Sequence, residues 1–343
     1  MNIDKAAVKN ILIIRLKGLG DILLSMPAVK ALKEAYPKAG ISVLVNREAE
    51  PLLLGLPFID EIILYNRQKH GGLFGGIRML KEIHNRKFDL VLDLIGNPRS
   101  ALITALSGAK YKVGTTHRIR QWAYNIKVEG PKEILYGARV HLLAASKCGA
   151  DIRNASLETE INIPAAAEES IDSFLFKQGV QNQEAIGLNP FTNFATRDWG
   201  PENFSALSDE LVRAGNKVIL LWGPGEEVEH FKSLTREKIL LAPDTDIKRL
   251  AALLKRLKFV ITTNTFIKHA AAAVKTPTLT IYGATNPLAW ESADSRSGYM
   301  LAGVDCQPCE KNECADLKCL KSVSVQDVLA KLKDMPGNPA KIK

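Results

Sequence analysis

The sequence predicts an α/β protein built of two doubly wound parallel-sheet domains, and three observations carry that reading. Short β-rich runs alternate with amphipathic helical stretches through both halves of the 343 residues, the pattern of parallel strands joined by crossover helices. Apolar residues make up 46% of the chain, enough for substantial cores and too many for wholesale disorder. The length corresponds to roughly two domains of ordinary size.

In the first half, residues 10–15 (NILIIR), 41–45, 61–65 and 89–94 are strand-like and are bounded by polar, Gly or Pro punctuation. Between the first two, Ile22, Leu23, Met26, Val29, Leu32 and Tyr36 recur at helical spacing. Pro27 falls inside that stretch, so either the helix kinks there or Ser25 caps it and Pro27 lies in the first turn. In the second half the strands are expected at 185–189, 217–222, 259–263 and 278–282, with helices from about 201 and 226 and at KRLAALLKRL. Residues 163–184 begin Pro/Ala-rich and continue as a helix, and they form the junction. The domains are therefore placed at 1–167 and 168–343, facing across a cleft, with a frayed tail at 335–343.

Forty-six Lys and Arg against 37 Asp and Glu give a net charge of +9, which favours an anionic partner. The basic residues are scattered among acidic and apolar neighbours, as on solvated helix faces, and not gathered into a nucleic-acid stripe. No apolar run approaches the ~18 residues of a membrane span, and the first, at 11–14, is too short for a signal-peptide core. A cytoplasmic protein is expected.

Candidate chemistry begins directly after the first strand, in RLKGLGDILLSMP (15–27). Gly18 and Gly20 permit a tight turn at the carboxyl end of that strand, where open α/β sheets bind ligands. Asp21 then opens the helix, either as an N-cap or as a general base. The third glycine of the dinucleotide fingerprint is missing, which disfavours a dehydrogenase. Cys306, Cys309, Cys314 and Cys319 form C-x2-C-x4-C-x4-C, compact enough for a structural zinc tetrathiolate or else a set of reduced thiols. Cys148 reads as a small buried apolar side chain.

Five segments, RLKGLGDILLSMPAVKALKEAYP, FDLVLDLIGNPRSALITALSGAKYKVG, NPFTNFATRDWGPENFSAL, LLWGPGEE and TNTFIKHAAAAVKTPTLTIYGATNP, run in an order that resembles glycosyltransferase family 9, the heptosyltransferases of lipopolysaccharide core assembly. The resemblance spans about residues 10–325. It implies the GT-B architecture of two facing Rossmann-like domains, the first holding the acceptor and the second a nucleotide sugar. It also implies inverting transfer of a heptose or related sugar from an ADP-sugar to a phosphorylated lipid core at the inner membrane surface, with no cofactor required. Asp21 matches the family's catalytic base. Arg197 stands where the family usually has a lysine on the diphosphate, and a guanidinium can hold phosphate bidentately. Thr192 matches a hydroxyl-bearing position upstream, and Glu227, with Glu226 as its neighbour, the acid on the ribose.

The family's Asp-Thr/Ser-Gly-Pro-x-His reads here Asn264, Thr265, Phe266, Ile267, Lys268, His269. Phe266 in place of a left-handed glycine should be costly, Lys268 should partly compensate by placing a cation beside phosphate, and His269 either joins the donor site or packs on the alanine-rich helix. These departures leave a binding-only homologue as the alternative to an active transferase. Lys17, Arg99, Arg118 and Arg120 are candidates for the acceptor side, or else ordinary solvated cations.

Overall fold

Each sheet grows outward from a central strand with no polar face. In β1 (Asn10–Ile14), residues Ile11 to Ile14 are all fully buried, as a strand covered on both sides requires. It is followed in the chain by β2 (Gly40–Asn46), β3 (Glu61–Tyr65), β4 (Leu90–Asp93), β5 (Tyr111–Thr115) and β6 (Ile126–Val128). Every pairing is parallel and the spatial order is β3-β2-β1-β4-β5-β6. Leu12, Ile14 and Val91 pack on one face with Met79, Ile83 and Ile103 from helices Gly72–Asn85 and Pro98–Leu106.

The second sheet repeats the plan. Its strands are β7 (Ala185–Asn189), β8 (Lys217–Leu220), β9 (Leu240–Leu241), β10 (Phe259–Thr263), β11 (Thr278–Ile281) and β12 (Gly298–Met300). They lie, again all parallel, in the order β12-β11-β10-β7-β8-β9. In both sheets the connections reverse direction between the first and fourth strands, and this switch point opens a crevice at the carboxyl ends. The structure, a computed structural model, describes residues 2–115, 118–292, 294–336 and 338–340, with Arg118 and Ile119 described by backbone alone.

The chain divides into units of residues 1–162 and 163–343. A boundary at 167/168 would cut helix Ala165–Lys177, which belongs wholly to the second unit. There Arg256 clamps it, with Nε and a terminal nitrogen on Asp172 at 2.8 and 2.9 Å. Helix Leu19–Ala35 runs through Pro27, and Ser25 does not cap it: its hydroxyl donates to the Ile22 carbonyl at 2.7 Å. Fraying of the tail is corrected up to Ala340. Met335 and Ala340 are buried in the second core, and the Asn216 amide holds the Ala340 carbonyl. Residues 337 and 341–343 lie outside the described residues.

Asp93 closes β4 as a fully buried carboxylate. Oδ1 accepts the N–H groups of Ile95 and Gly96 at 3.0 and 2.9 Å, and Oδ2 accepts the Tyr124 hydroxyl at 2.8 Å. Burial of a charge demands such partners. Burial, then the Asp93 charge, push the Tyr124 phenol far above its ordinary range. A Cβ at Gly114 would sit 2.4 Å from the Tyr124 ring, so the glycine makes room for it. Replacing Tyr124 by Phe removes one bond to a buried charge and should cost about 1.5–3 kcal/mol. Urea denaturation measures this, and an unchanged midpoint would show that Asp93 needs only its two backbone donors.

Candidate functional site

In the first unit the switch point lies between β1 and β4, and one side chain spans it. Arg15 follows β1, and its backbone N–H still bonds to Leu44. One terminal nitrogen of its nearly buried guanidinium donates to the Leu94 carbonyl beyond β4 at 3.0 Å, and the other meets Asp21 Oδ1 at 2.6 Å. The chain reaches Asp21 through Lys17 at φ 91° and Gly18 at φ 73°. The φ of 73° at Gly18 favours glycine, and a Cβ there would lie 2.1 Å from Asp21 Oδ2, displacing the carboxylate from where Arg15 holds it. Gly18 is also the N-cap of helix Leu19–Ala35. The capping role weighed for Asp21 is therefore corrected: it lies three positions in, oriented by a guanidinium and one-third exposed on its side chain.

The expected acceptor-side cations follow the carboxyl ends of β1, β4 and β5: Lys17 in a loop, Arg99 in the first turn of helix Pro98–Leu106, and Arg118 and Arg120 in the 3-10 helix Arg118–Ala123. Lys17 is exposed. Arg99 stacks its guanidinium 4.6 Å from the centre of the Tyr65 ring, a cation–π contact. Arg120 Nε donates to the Gly96 carbonyl at 2.7 Å, beside the Asp93 turn. The Arg118 side chain lies outside the described residues. Arg15 was not singled out in the sequence; its position at the end of an apolar strand, six residues before an acid, was the available signal.

In the second unit the switch point lies between β7 and β10, and Asn189 holds it together. Its Oδ1 accepts the hydroxyls of Thr262 and Thr265 at 3.1 and 3.3 Å, while Nδ2 donates to the Leu221 carbonyl beyond β8 at 3.2 Å. Thr265 caps helix Phe266–Ala273 by backbone alone, so its first amides form an N-terminus suited to an anion. Arg197 stands at this end, donating to the Asn264 carbonyl at 3.3 Å and stacked 4.5 Å over the Phe194 ring. Gly283 supports it: the Thr196 carbonyl accepts from Ala284, and a Cβ at Gly283 would lie 2.0 Å from that oxygen. Thr192 turns its hydroxyl to the Phe194 N–H at 3.3 Å. Glu227 is exposed, while half-buried Glu226 accepts the Gly223 N–H at 2.6 Å and has its carboxyl raised by burial.

Three expectations change here. Phe266 is the first residue of a helix and not a left-handed position, so its Cβ carries no backbone penalty. Lys268 does not stand free beside an anion. It is buried, with Nζ donating to the Trp290 carbonyl, 3.7 Å from Glu291 and 5.6 Å from the Tyr282 ring centre. Burial pulls its pKa down to about 8, against the opposing pull of Glu291. The tetrathiolate is not formed either. All five cysteines are free, and among the described residues no three His, Cys, Asp or Glu converge as a metal-ligand group. His269 is buried edge-on to Trp290, its imidazole pushed well below the ordinary range by burial, then by Lys268 and Arg197. Asn264 turns inward, donating to the Thr285 hydroxyl at 3.1 Å.

Comparison with known proteins bears on the family and the fold. The family model described as glycosyltransferase family 9 (heptosyltransferase) matches residues 77–320. Lipopolysaccharide heptosyltransferase 3 of Escherichia coli is 26% identical over 283 residues, 79% of this chain and 82% of that one. The lipopolysaccharide core heptosyltransferase OpsX of Haemophilus influenzae is 24% identical over 82% of this chain and 81% of its own. Among solved structures, a family 9 glycosyltransferase from Veillonella parvula shares the fold at TM-score 0.81, with 21% identity over 94% of this chain and 95% of that one. The E. coli heptosyltransferase WaaC, solved with ADP-2-deoxy-2-fluoro heptose, matches at TM-score 0.73, with 19% identity over 95% and 99%.

Two helical residues give testable consequences, Phe266 and His141, which is buried in helix Gly137–Lys147. The His141 imidazole has its pKa lowered to about 3, first by burial and then by the Arg15 charge. The unfolded chain binds this proton near the ordinary value of about 6.5. The stability due to the neutral ring is thus complete above pH 6.5 and falls as pH drops from there towards 3, by up to about 1.4 kcal/mol per pH unit. Urea titrations at pH 7 and pH 5 should show a smaller acid loss for His141→Gln than for the wild type; equal losses would place the sensitivity elsewhere. Phe266→Gly should lower the melting temperature, costing roughly 0.5–1 kcal/mol of helix stability, whereas a rise would reinstate a strained backbone.

Proposed function

The chain belongs to glycosyltransferase family 9, and from that premise we propose that it is an inverting transferase moving a heptose or related sugar from an ADP-sugar to a lipopolysaccharide core acceptor. The observation that carries the proposal is the Asp21 carboxylate held by Arg15 at the switch point of the first sheet. A general base must present an oriented oxygen within hydrogen-bond reach of the attacking hydroxyl. Arg15 fixes Oδ1, and Oδ2 lies over the exposed Gly18 backbone, where no side chain can intrude. In the mechanism proposed, Asp21 takes the acceptor's proton as the hydroxyl attacks the anomeric carbon. The ADP leaving group departs with its diphosphate on Arg197 and the amides that begin helix Phe266–Ala273. Lys17, Arg99, Arg118 and Arg120 supply cations for a phosphorylated acceptor.

No step calls on a metal, and the cysteine segment is assigned no part. The names of the relatives support both the heptose and the core acceptor. Among the described residues no helix is long and apolar enough to cross a membrane. The binding-only alternative rested on Asn264 and Phe266. Asn264 is engaged with Thr285 and Phe266 opens an ordinary helix, so neither argues for a lost donor site.

Asp21→Asn should leave ADP affinity and melting temperature near wild type while lowering turnover roughly 100-fold or more, as loss of a general base does. Arg197→Met should instead weaken ADP binding in calorimetry by about tenfold or more. Undiminished turnover in Asp21→Asn with an authentic acceptor would remove this mechanism.

A further inference from the structure

The first two turns of helix Gly72–Asn85 present to solvent what a core would bury. Leu73 is 76% exposed, Phe74 86% and Ile77 42%, while Met79 and Ile83 on the opposite side pack into the sheet. Phe74, Ile77, Arg78 and Lys81 recur at intervals of three and four, so they share one outward stripe, apolar where the helix begins and cationic further along. Leu102, on the adjoining helix Pro98–Leu106, is also exposed and lines a shallow groove with Gly72, Gly76 and Leu80. The segment 67–81 contains Arg67, Lys69, Arg78 and Lys81, all exposed, and no Asp or Glu.

An exposed apolar patch of this kind calls for a covering surface, and the charge selects it. A second copy meeting this surface isologously would set cation against cation. An anionic phospholipid surface accepts both features, acyl chains for the rings and branches, and phosphates for the cations. We propose that this surface docks the protein on an anionic bilayer, with Leu73 and Phe74 inserted at the acyl boundary and Arg67, Lys69, Arg78 and Lys81 at headgroup level. The proposal rests on the functional reading only for its purpose, bringing the acceptor loops of the first unit to a lipid-borne substrate.

The test is sedimentation of the full chain with vesicles of phosphatidylethanolamine and phosphatidylglycerol, against vesicles of phosphatidylcholine alone, with neither sugar donor nor acceptor present. The expected result is binding to the anionic vesicles that weakens with salt, is at least roughly tenfold poorer on phosphatidylcholine, and drops by roughly tenfold or more in Leu73→Ser/Phe74→Ser. Arg78→Gln/Lys81→Gln should lose binding to the anionic vesicles alone. All four side chains are at the surface, and an unchanged circular dichroism melt confirms the variants fold. Absence of vesicle binding, or equal binding by the Leu73/Phe74 variant, overturns the proposal. So does self-association without lipid that the same substitutions abolish, since the patch would then be a protein interface. The functional reading fails separately, through transfer to an acceptor in detergent, which needs no bilayer.

Discussion

Parallel pairing is the constraint from which the rest of the molecule follows. A parallel strand must return by a crossover, so helices come to cover both faces of each sheet and its central strands lose every polar surface. Ile11 to Ile14 of β1 are each inaccessible, and every residue of β10 is buried. Chemistry then has room only at the strand ends, and the reversal of connections between β1 and β4, and between β7 and β10, opens one end of each sheet. The polar residues implicated in function follow this rule in both units.

The two switch points are held in different ways, which suits different tasks. In the first, a charged side chain spans the opening: Arg15 ties the loop beyond β4 to the helix after β1 and aims a carboxylate in doing so. In the second, a neutral amide does the tying, with Asn189 linking the ends of β7, β8 and β10. A buried guanidinium there would add a fixed cation beneath the helix amides, whereas Asn189 leaves the anion-facing charge to Arg197 at the rim. An ion pair would orient the proposed base, and an uncharged knot would leave the proposed anion site open.

Much of this architecture could be read in the sequence because its signal is local. Eight strands, β1–β4, β7, β8, β10 and β11, stand out as apolar runs, and all of them but the edge strand β3 are inner strands, whose burial on both faces writes itself into consecutive residues. Of the strands that escaped, β6, β9 and β12 are edge strands of two or three residues, while β5 is an inner strand whose apolar run is broken by Lys112 and Gly114; their pairing is fixed by neighbours distant in the chain. The placement of Asp21 and Arg197 beyond the carboxyl ends of β1 and β7 was legible through motif. Arg15 and Asn189 were not, because each is defined by carbonyls or hydroxyls between 32 and 79 residues away. The cysteine spacing left the metal reading open for the converse reason. Spacing fixes how far apart ligands are in the chain, while convergence depends on the backbone between them. Here Glu310 and Leu317 take left-handed conformations within that segment, and the thiols range from exposed to buried.

Lys268 and Phe266 show why side-chain charge and backbone function must be weighed apart at a helix N-terminus. An anion there is held by amides that every residue except proline supplies, so the identity of residue 266 alters the shape of the site without removing its donors. A cation contributes only where its head can reach, and Lys268 is turned to the Trp290 carbonyl and Glu291 beneath the helix. Lys268 thus lies in the first turn of the helix, at its amino end, yet its head is taken up in packing that turn. Charge at the donor end falls to Arg197, whose guanidinium is anchored by the Asn264 carbonyl and the Phe194 ring. A guanidinium so restrained has its planar fork pre-oriented, as the proposed contact with the leaving diphosphate requires.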